Sequence, residues 1–474
     1  MKRSIAGSLV AVSLLAACGA SPDGEGEAGV GAQGSALTAQ RSYWLVANDG
    51  AALPANLAAR VTAAGGTVTR TLSSVGAAIA TSSSATFQSN AAKIAGLRAV
   101  APSMTWSLAK PAKTARMSAA ASQAYAQTAA PGDFLLPLQW GMTAVHAADA
   151  WTRGSRGAGA RVAVIDSGCD YTHPDLAPNV NVGLSVSFVP GEGVLPLPGT
   201  EFDHGTHVAG IIAAAANEFG VVGVAPEAEL VCVKVFSAAG TTTDGDIFGA
   251  MLYAAQIGAD VANMSFGGSL KRSGACDASG CYTAKDANEL IVLYNRVANY
   301  VHGQGTLLVA AAGNESTDFD HTANLTFIPA QMPHVVTVSA TGPKGWAVNP
   351  APDLDVPAFY TNYGSSAVDQ AGPGGNVDFD LMNSGAMCGP GLPCWALDMV
   401  LSTVPGGWSW AAGTSMASPH VAGVAALIVG NHGGRLAPDQ VAAALRASAD
   451  DLGKPGNDPW YGLGRVNAGA ASLR

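Results

Sequence analysis

The sequence is poor in charge and holds no basic run. Charged residues make up 12% of its 474, and 34 acidic against 24 basic side chains give a formal net charge of −10. Without clustered Lys and Arg there is no footprint for phosphates, which excludes nucleic acid as a partner. Beyond residue 17 no continuous apolar run reaches the ~20 residues needed to cross a bilayer. Membrane contact is therefore expected only through a covalent anchor. Internal repeats are also missing. What the chain does have is 48% hydrophobic residues and 58 glycines, the makeup of a globular protein with a large core and many tight turns. Its length would hold about three average domains.

The first residues read as an export signal. Lys2 and Arg3 precede a short apolar stretch, Ile5–Leu15, that is too short to span a membrane. The stretch ends in Leu15-Ala16-Ala17-Cys18, which resembles the lipobox of bacterial lipoprotein signal peptides. That resemblance implies a signal peptide over residues 1–17, cleavage before Cys18 and lipid on its thiol. The alternative is an ordinary signal peptide that contains a cysteine. Residues 18–41, rich in Gly, Ala, Ser and acidic side chains, read as a flexible tether. Six further cysteines remain, an even number that suits disulfides in an exported protein. Cys276–Cys281 and Cys388–Cys394 are local pairs. Cys169 and Cys232 are what is left, either bonded to each other or buried as free thiols.

Residues 42–108 have the pattern of a small ordered unit. Tyr43–Val46 is strand-like, and Leu53–Ala64 is a helix closed by Gly65-Gly66. Thr67–Ala80 suggests two strands about Ser73-Ser74, Thr86–Leu97 a helix, and Ala99–Trp106 a last strand. This β-α-β-β-α-β order is that of split βαβ, ferredoxin-like folds. Residues 109–133 are rich in Ala, Ser and Gln without an apolar period, and read as a linker. From Phe134 on, strands that are apolar at every position (Arg161–Ile165, Leu230–Phe236, Asp260–Ser265, Thr306–Ala311, Val335–Ser339) alternate with helices at His204–Ala216, Asp246–Ile257 and Ala287–His302. Strands of that kind are covered on both faces, so residues 134–474 are expected to form an α/β domain, a largely parallel sheet between helix layers. Function in such sheets gathers at the carboxyl ends of the strands.

Three segments stand at such ends. Asp166 closes the strand Arg161-Val162-Ala163-Val164-Ile165. His204 opens a helix of small residues, and Ser415 opens another in Gly413-Thr414-Ser415-Met416-Ala417-Ser418-Pro419-His420. A serine hydroxyl needs a neutral imidazole to take its proton, and the imidazole needs a carboxylate to fix its tautomer. A helix N-terminus adds backbone N–H groups where an oxyanion forms.

These three blocks resemble the signature segments of subtilisin-like serine proteases (subtilases). The resemblance runs from about Gln139 to the C-terminus through His173-Pro174-Asp175-Leu176, Gly223-Val224-Ala225-Pro226 and Asn263-Met264-Ser265-Phe266-Gly267-Gly268. It implies a serine endopeptidase in which Asp166 orients, His204 is the general base, Ser415 attacks and Asn314 donates to the oxyanion. His207 and His420 then have structural roles. Ser265, Phe266 and Gly267 on one side and Ala312 and Gly313 on the other would wall the substrate cleft, with Phe327 either at the pocket floor or plain core. These walls hold no carboxylate, so broad specificity with an apolar preference is expected. Chemistry needs no cofactor, but the resemblance implies structural calcium on Asp175 and Asn217 with carbonyls of the loop 215–221. It also implies that residues 42–108 are a propeptide, chaperone and inhibitor of the domain, cut off within 109–133. Protein or peptide substrates and a monomeric enzyme follow, either held in the bacterial envelope by Cys18 or extracellular after processing. Segments 269–288 and 376–398 look like surface insertions. A zinc hydrolase using His204 and His207 fits poorly, since HExxH is absent. An inactive, lipid-tethered binding protein on the same fold would need a damaged triad.

Overall fold

The computed structural model describes residues 40–128, 132–200, 202–277, 280–389, 391–434 and 436–474. The export signal, Cys18 and most of the tether lie outside these residues. Among the described residues no helix is long and apolar enough to cross a membrane.

The N-terminal unit follows the expected order, with β1 (Arg41–Ala47), α1 (Leu57–Ala63), β2 (Thr67–Leu72), β3 (Ala77–Ser82), α2 (Phe87–Ala91) and β4 (Leu97–Pro102). Its antiparallel sheet runs β2-β3-β1-β4. Period-2 alternation along β1 serves two cores at once. Tyr43 and Leu45 meet Leu57, Val61 and Phe87 beneath the unit's own helices. Trp44 and Val46 point the other way, into the core around Phe248, Leu290 and Tyr294. α2 stops short of the expected Leu97 because the chain turns through Gly96 at φ +96°.

The expected last strand Ala99–Trp106 is broken: β4 ends at Pro102, and β5 (Thr105–Ser107) pairs with the large domain instead. Within the segment expected to be a linker, β6 (Lys113–Arg116) also pairs with the large domain, and α3 (Ala119–Thr128) follows. β6 adds an edge to the hairpin Val400–Val404/Gly407–Ala412, opposite Ser409–Ala412. That partner lies almost 300 residues away, so no local pattern announces the strand.

After the short helices α4 (Trp140–Ala144) and α5 (Ala147–Thr152), the large domain is built on seven strands. From one edge these are Gln370–Pro373, Val335–Thr341, Leu307–Ala311, then β11 (Val261–Met264), β7 (Arg161–Asp166), β9 (Glu229–Lys234) and β8 (Val186–Ser187), all parallel. Between β9 and β11 the chain forms β10 (Thr241–Thr243). β7 shows why its sequence is apolar throughout. Val162 and Val164 face the core of the helix Thr414–Asn431, while Ala163 and Ile165 face the core of α7 (Asp244–Gln256) and α8 (Ala284–Gly303). α6 (His204–Ala213) packs beside the Thr414 helix. The chain leaves β7 for β9 on one side and later returns as β11 on the other. The crevice at this switch point opens over the end of β7, where Asp166 stands.

Three disulfides form. Cys276–Cys281 and Cys388–Cys394 are the local pairs, and Cys169 bonds Cys232, which excludes free thiols there. The first insertion is a hairpin (Gly274–Asp277 with Gly280–Thr283) that runs into α8. α8 starts three residues before the expected Ala287 because Thr283 and Asp286 form a capping box. The second insertion is not confined to the surface. Leu392, Cys394, Ala396, Leu397 and Asp398 are buried. Asp398 accepts backbone N–H bonds from Gly345, Trp346 and Asp378 and so ties the insertion to the domain.

Candidate active site

Asp166 is fully buried at the tip of β7. Its Oδ1 accepts the Ser167 N–H at 2.7 Å, and the two oxygens lie 2.8 and 3.0 Å from His204 Nδ1. His204 is the first residue of α6. The helix is capped by Asp203, whose Oδ1 accepts the Thr206 N–H at 2.8 Å and whose Oδ2 accepts the Ser167 hydroxyl at 2.8 Å. One short loop and one N-cap thus fix the relation between acid and imidazole. Burial pulls the His204 pKa down, but the Asp166 charge and hydrogen bond outweigh it, so the net shift is upward from 6.5. His204 Nε2 is buried and has no hydrogen-bond partner among the described residues.

Ser415 sits in the first turn of the buried helix Thr414–Asn431. Pro419, four residues on, has no N–H to give the Ser415 carbonyl. Ser265 Oγ supplies the missing donor at 2.8 Å, and is itself joined to Asn263 Nδ2 at 2.9 Å and Ser418 Oγ at 2.8 Å. In return Ser415 Oγ donates to the Ser265 carbonyl at 2.8 Å, so the hydroxyl is turned away from His204 in this state. Asn314 Oδ1 accepts both the N–H and the hydroxyl of Thr414 at 2.9 Å. This fixes the amide plane, and Nδ2 lies beside Gly413, 3.5 Å from where a Cβ there would stand.

The expected cleft walls are brought to the same end of the sheet. Ser265, Phe266 and Ala312 are buried, and Gly313, at φ +106°, would crowd the Asn362 amide with any Cβ. Phe327 packs with Ala312, Phe319 and Ala330, so it is core that backs one of those walls. His207 Nε2 is held by the Ser409 carbonyl at 2.9 Å and His420 Nδ1 by the Met416 carbonyl at 2.8 Å. Burial pushes their pKa values down to about 3 and about 4, so both rings are neutral.

Asp175 and Asn217 are neighbours, but their donors do not fit a hard cation, which takes six to eight oxygens. Asp175 Oδ2 accepts from Val221 N–H and Trp408 Nε1–H, which leaves only Oδ1 free. Asn217 Oδ1 takes the Phe219 N–H, and its Nδ2 donates to the Pro174 carbonyl.

A cavity of about 740 Å³ reaches His204, Asp203 and Ser167, and residues Ser107–Pro111 run along it. β5 lies antiparallel on β10, and Leu108 N–H bonds the Gly240 carbonyl at 2.8 Å. Beyond the site, Ala112 N–H bonds the Ala412 carbonyl at 2.7 Å. Supporting roles that sequence reasoning missed belong to Asp203, Ser167, Ser265 Oγ and Thr414. Only Asp203 left a signal, as an N-cap acid three residues before Thr206.

A parallel α/β sheet with a carboxylate, an imidazole and a helix-borne serine at its switch point is the framework of a serine hydrolase. The sequence profile of the subtilase family matches residues 157–464. The thermophilic serine proteinase of Bacillus sp. (strain AK1) is 34% identical over 334 residues, which cover 70% of this chain and 66% of that protein. Subtilisin Savinase of Lederbergia lenta is 34% identical over 336 residues, 70% of this chain and 98% of its own. In fold, the epidermin leader peptide processing serine protease of Staphylococcus aureus superposes with a TM-score of 0.69 at 20% identity, covering 91% of this chain and 99% of its own. The chain belongs to the subtilase family and is a subtilisin-like serine protease.

Proposed function

We propose that the chain is an exported endopeptidase in which Ser415, His204 and Asp166 act as a triad. The observation that carries this reading is the Asp166–His204 Nδ1 pair, with Nε2 left without a partner on a helix that packs against the one bearing Ser415. When substrate binds, Ser415 Oγ leaves the Ser265 carbonyl, turns to Nε2 and attacks the peptide carbonyl while His204 takes its proton. The oxyanion is received by Asn314 Nδ2 and the N–H groups of the Thr414 helix. His204 then returns the proton to the departing amine, and water releases the acyl group from Ser415 by the same steps. The antiparallel pairing of β5 with β10, continued by the Leu108–Gly240 bond, supports substrate binding through main-chain bonds, with Ser265–Gly267 and Ala312–Gly313 as the walls the resemblance implies. The apolar walls support broad cleavage with graded apolar preference.

Residues 42–108 act as propeptide and inhibitor, residues 109–133 carry the processing bond, and 134–474 are the mature peptidase. Docking of the N-terminal unit on α7 and α8 supports this, through the Arg98–Glu289 pair at 2.9 Å, the Arg70–Asp246 pair at 3.2 Å and the Arg296–Asp49 pair. The lipobox resemblance supports lipid on Cys18, and the disulfides support an oxidising compartment outside the cytoplasm. Fluorophosphonate labelling tests the triad. Wild type should take up one label on Ser415, and Ser415→Ala none, accumulating as uncut precursor. A folded Ser415→Ala protein that still hydrolyses peptide would sink the mechanism.

A further inference from the structure

Asp244, the first residue of α7, is a buried carboxylate with no part in the triad. Its Oδ1 accepts the Trp106 indole N–H at 2.5 Å and the Tyr294 hydroxyl at 2.9 Å, and its Oδ2 accepts the Met104 backbone N–H at 2.6 Å. Two of these three donors come from the N-terminal segment in the cleft. Trp106 occupies a socket shaped for it. The ring lies over Gly268, where any Cβ would come within 2.5 Å of the indole, and it packs against the core that includes Phe266 and Phe248. Its position is set by main-chain pairing, since Trp106 is the middle residue of β5, opposite Thr242. Burial pushes the Asp244 carboxyl up to about 6, while the Trp106 and Met104 bonds pull it back. When residues 42–108 leave, this acid keeps the Tyr294 hydroxyl of these three donors and stands beside the place over Gly268 that the Trp106 ring vacates.

We propose that Asp244 is a specificity-determining residue that makes this socket select a substrate side chain carrying an N–H donor on an aromatic body, tryptophan foremost, two residues before the position that pairs with Gly240. The inference rests on the peptidase reading above and refines it, since an apolar socket alone would take Phe and Trp alike. A site built around an acceptor rejects a ligand lacking the donor, because the buried acceptor is then left unpaired. The loss for a charged acceptor is about 10- to 100-fold.

The test uses the mature wild-type enzyme and a quenched peptide of this chain's residues 103–114, with Trp, 1-methyltryptophan or Phe at position 106. Mass spectrometry identifies the bond cut. 1-Methyltryptophan keeps the ring and removes only the donor. We expect kcat/KM about 10-fold or more lower for it than for Trp, with Phe equally low. Asp244→Asn, which keeps one acceptor oxygen, should narrow that ratio, and Asp244→Leu should abolish it. Equal kcat/KM for Trp and 1-methyltryptophan on the wild type would overturn the proposal without any variant having to fold. Casein hydrolysis by the same preparation checks the peptidase reading separately. With casein cut, a flat response to the donor strikes at Asp244 alone.

Discussion

Replacing Ser265 by Ala removes the hydroxyl that stands in for the N–H missing at Pro419. The Ser415 carbonyl loses its donor and Asn263 Nδ2 loses its acceptor, both in a fully buried setting. Each unsatisfied buried group costs about 1–3 kcal/mol, so the single variant, which leaves two, should lose about 2–6 kcal/mol. Pro419→Ala supplies a backbone N–H four residues after Ser415, which can then close an ordinary helical bond to the same carbonyl. Its own effect should be small, since the regained bond offsets the roughly 0.4–1 kcal/mol that proline contributes by restricting the unfolded chain. In the double variant the carbonyl has a donor again. The loss from Ser265→Ala should therefore shrink by about 1–2 kcal/mol, a factor of roughly 5–30 in a rate or an equilibrium. The cycle is best measured as unfolding rates in guanidinium, followed by tryptophan fluorescence. A Ser415→Ala background prevents self-digestion and leaves the backbone carbonyl in place. Effects that add to within about 0.5 kcal/mol would refute the coupling between Ser265 and the proline gap.

The base must be neutral to accept a proton, so kcat/KM should rise with pH through the pKa of His204, with a midpoint above 6.5 because Asp166 raises it. Asp166→Asn removes that charge and leaves burial opposed only by the Asp203 charge, so residual activity should show its acid limb moved downward; an unmoved limb would exclude Asp166 as the cause. Because Asp175 Oδ2 and Asn217 Oδ1 are already paired with N–H groups, which leaves Asp175 Oδ1 as the one free side-chain oxygen of the two residues, the melting temperature should be the same in millimolar calcium and in chelator, and a rise with calcium would show that Asn217 lets go of Phe219. Cys18→Ser should move the enzyme from the membrane fraction to the soluble one, and its retention in the membrane would rule out the lipid anchor.

The sheet and the end of it that carries chemistry were legible because strands covered on both faces leave continuous apolar runs, and β7 is such a strand with an acid at its tip. The helix bearing Ser415 and the Asp166–His204 neighbourhood followed from short, local blocks. What escaped depends on distant partners. β6 is a polar tetrapeptide that becomes a strand only because Gly407–Ala412 offers it an edge. α3 is mostly Ala, Ser and Gln, whose helix propensity has no apolar stripe to reveal it. The insertion at 376–398 has the glycines and prolines of a surface loop, yet Leu392, Leu397 and Asp398 anchor it inside. Asp244 lies two residues ahead of the helix expected at Asp246–Ile257, and nothing local marks it. Its weight comes from Trp106, 138 residues earlier in the chain.

One chain passes through the cleft pinned on both sides, by Leu108 to Gly240 before the triad and by Ala112 to Ala412 after it. On the propeptide reading proposed above, a bond held this way meets its own Ser415 at an effective concentration that dilution cannot lower. The first cut is then unimolecular, with the same half-life at nanomolar and micromolar protein, and a catalytically dead partner added in trans does not compete. Cutting also frees neither end at once. The upstream piece stays on β10 and on α7 and α8, while the downstream end stays on the Gly407–Ala412 edge. Scission and the onset of activity are thus two separate clocks, and the slower one is set by how long the severed upstream piece resides on the enzyme.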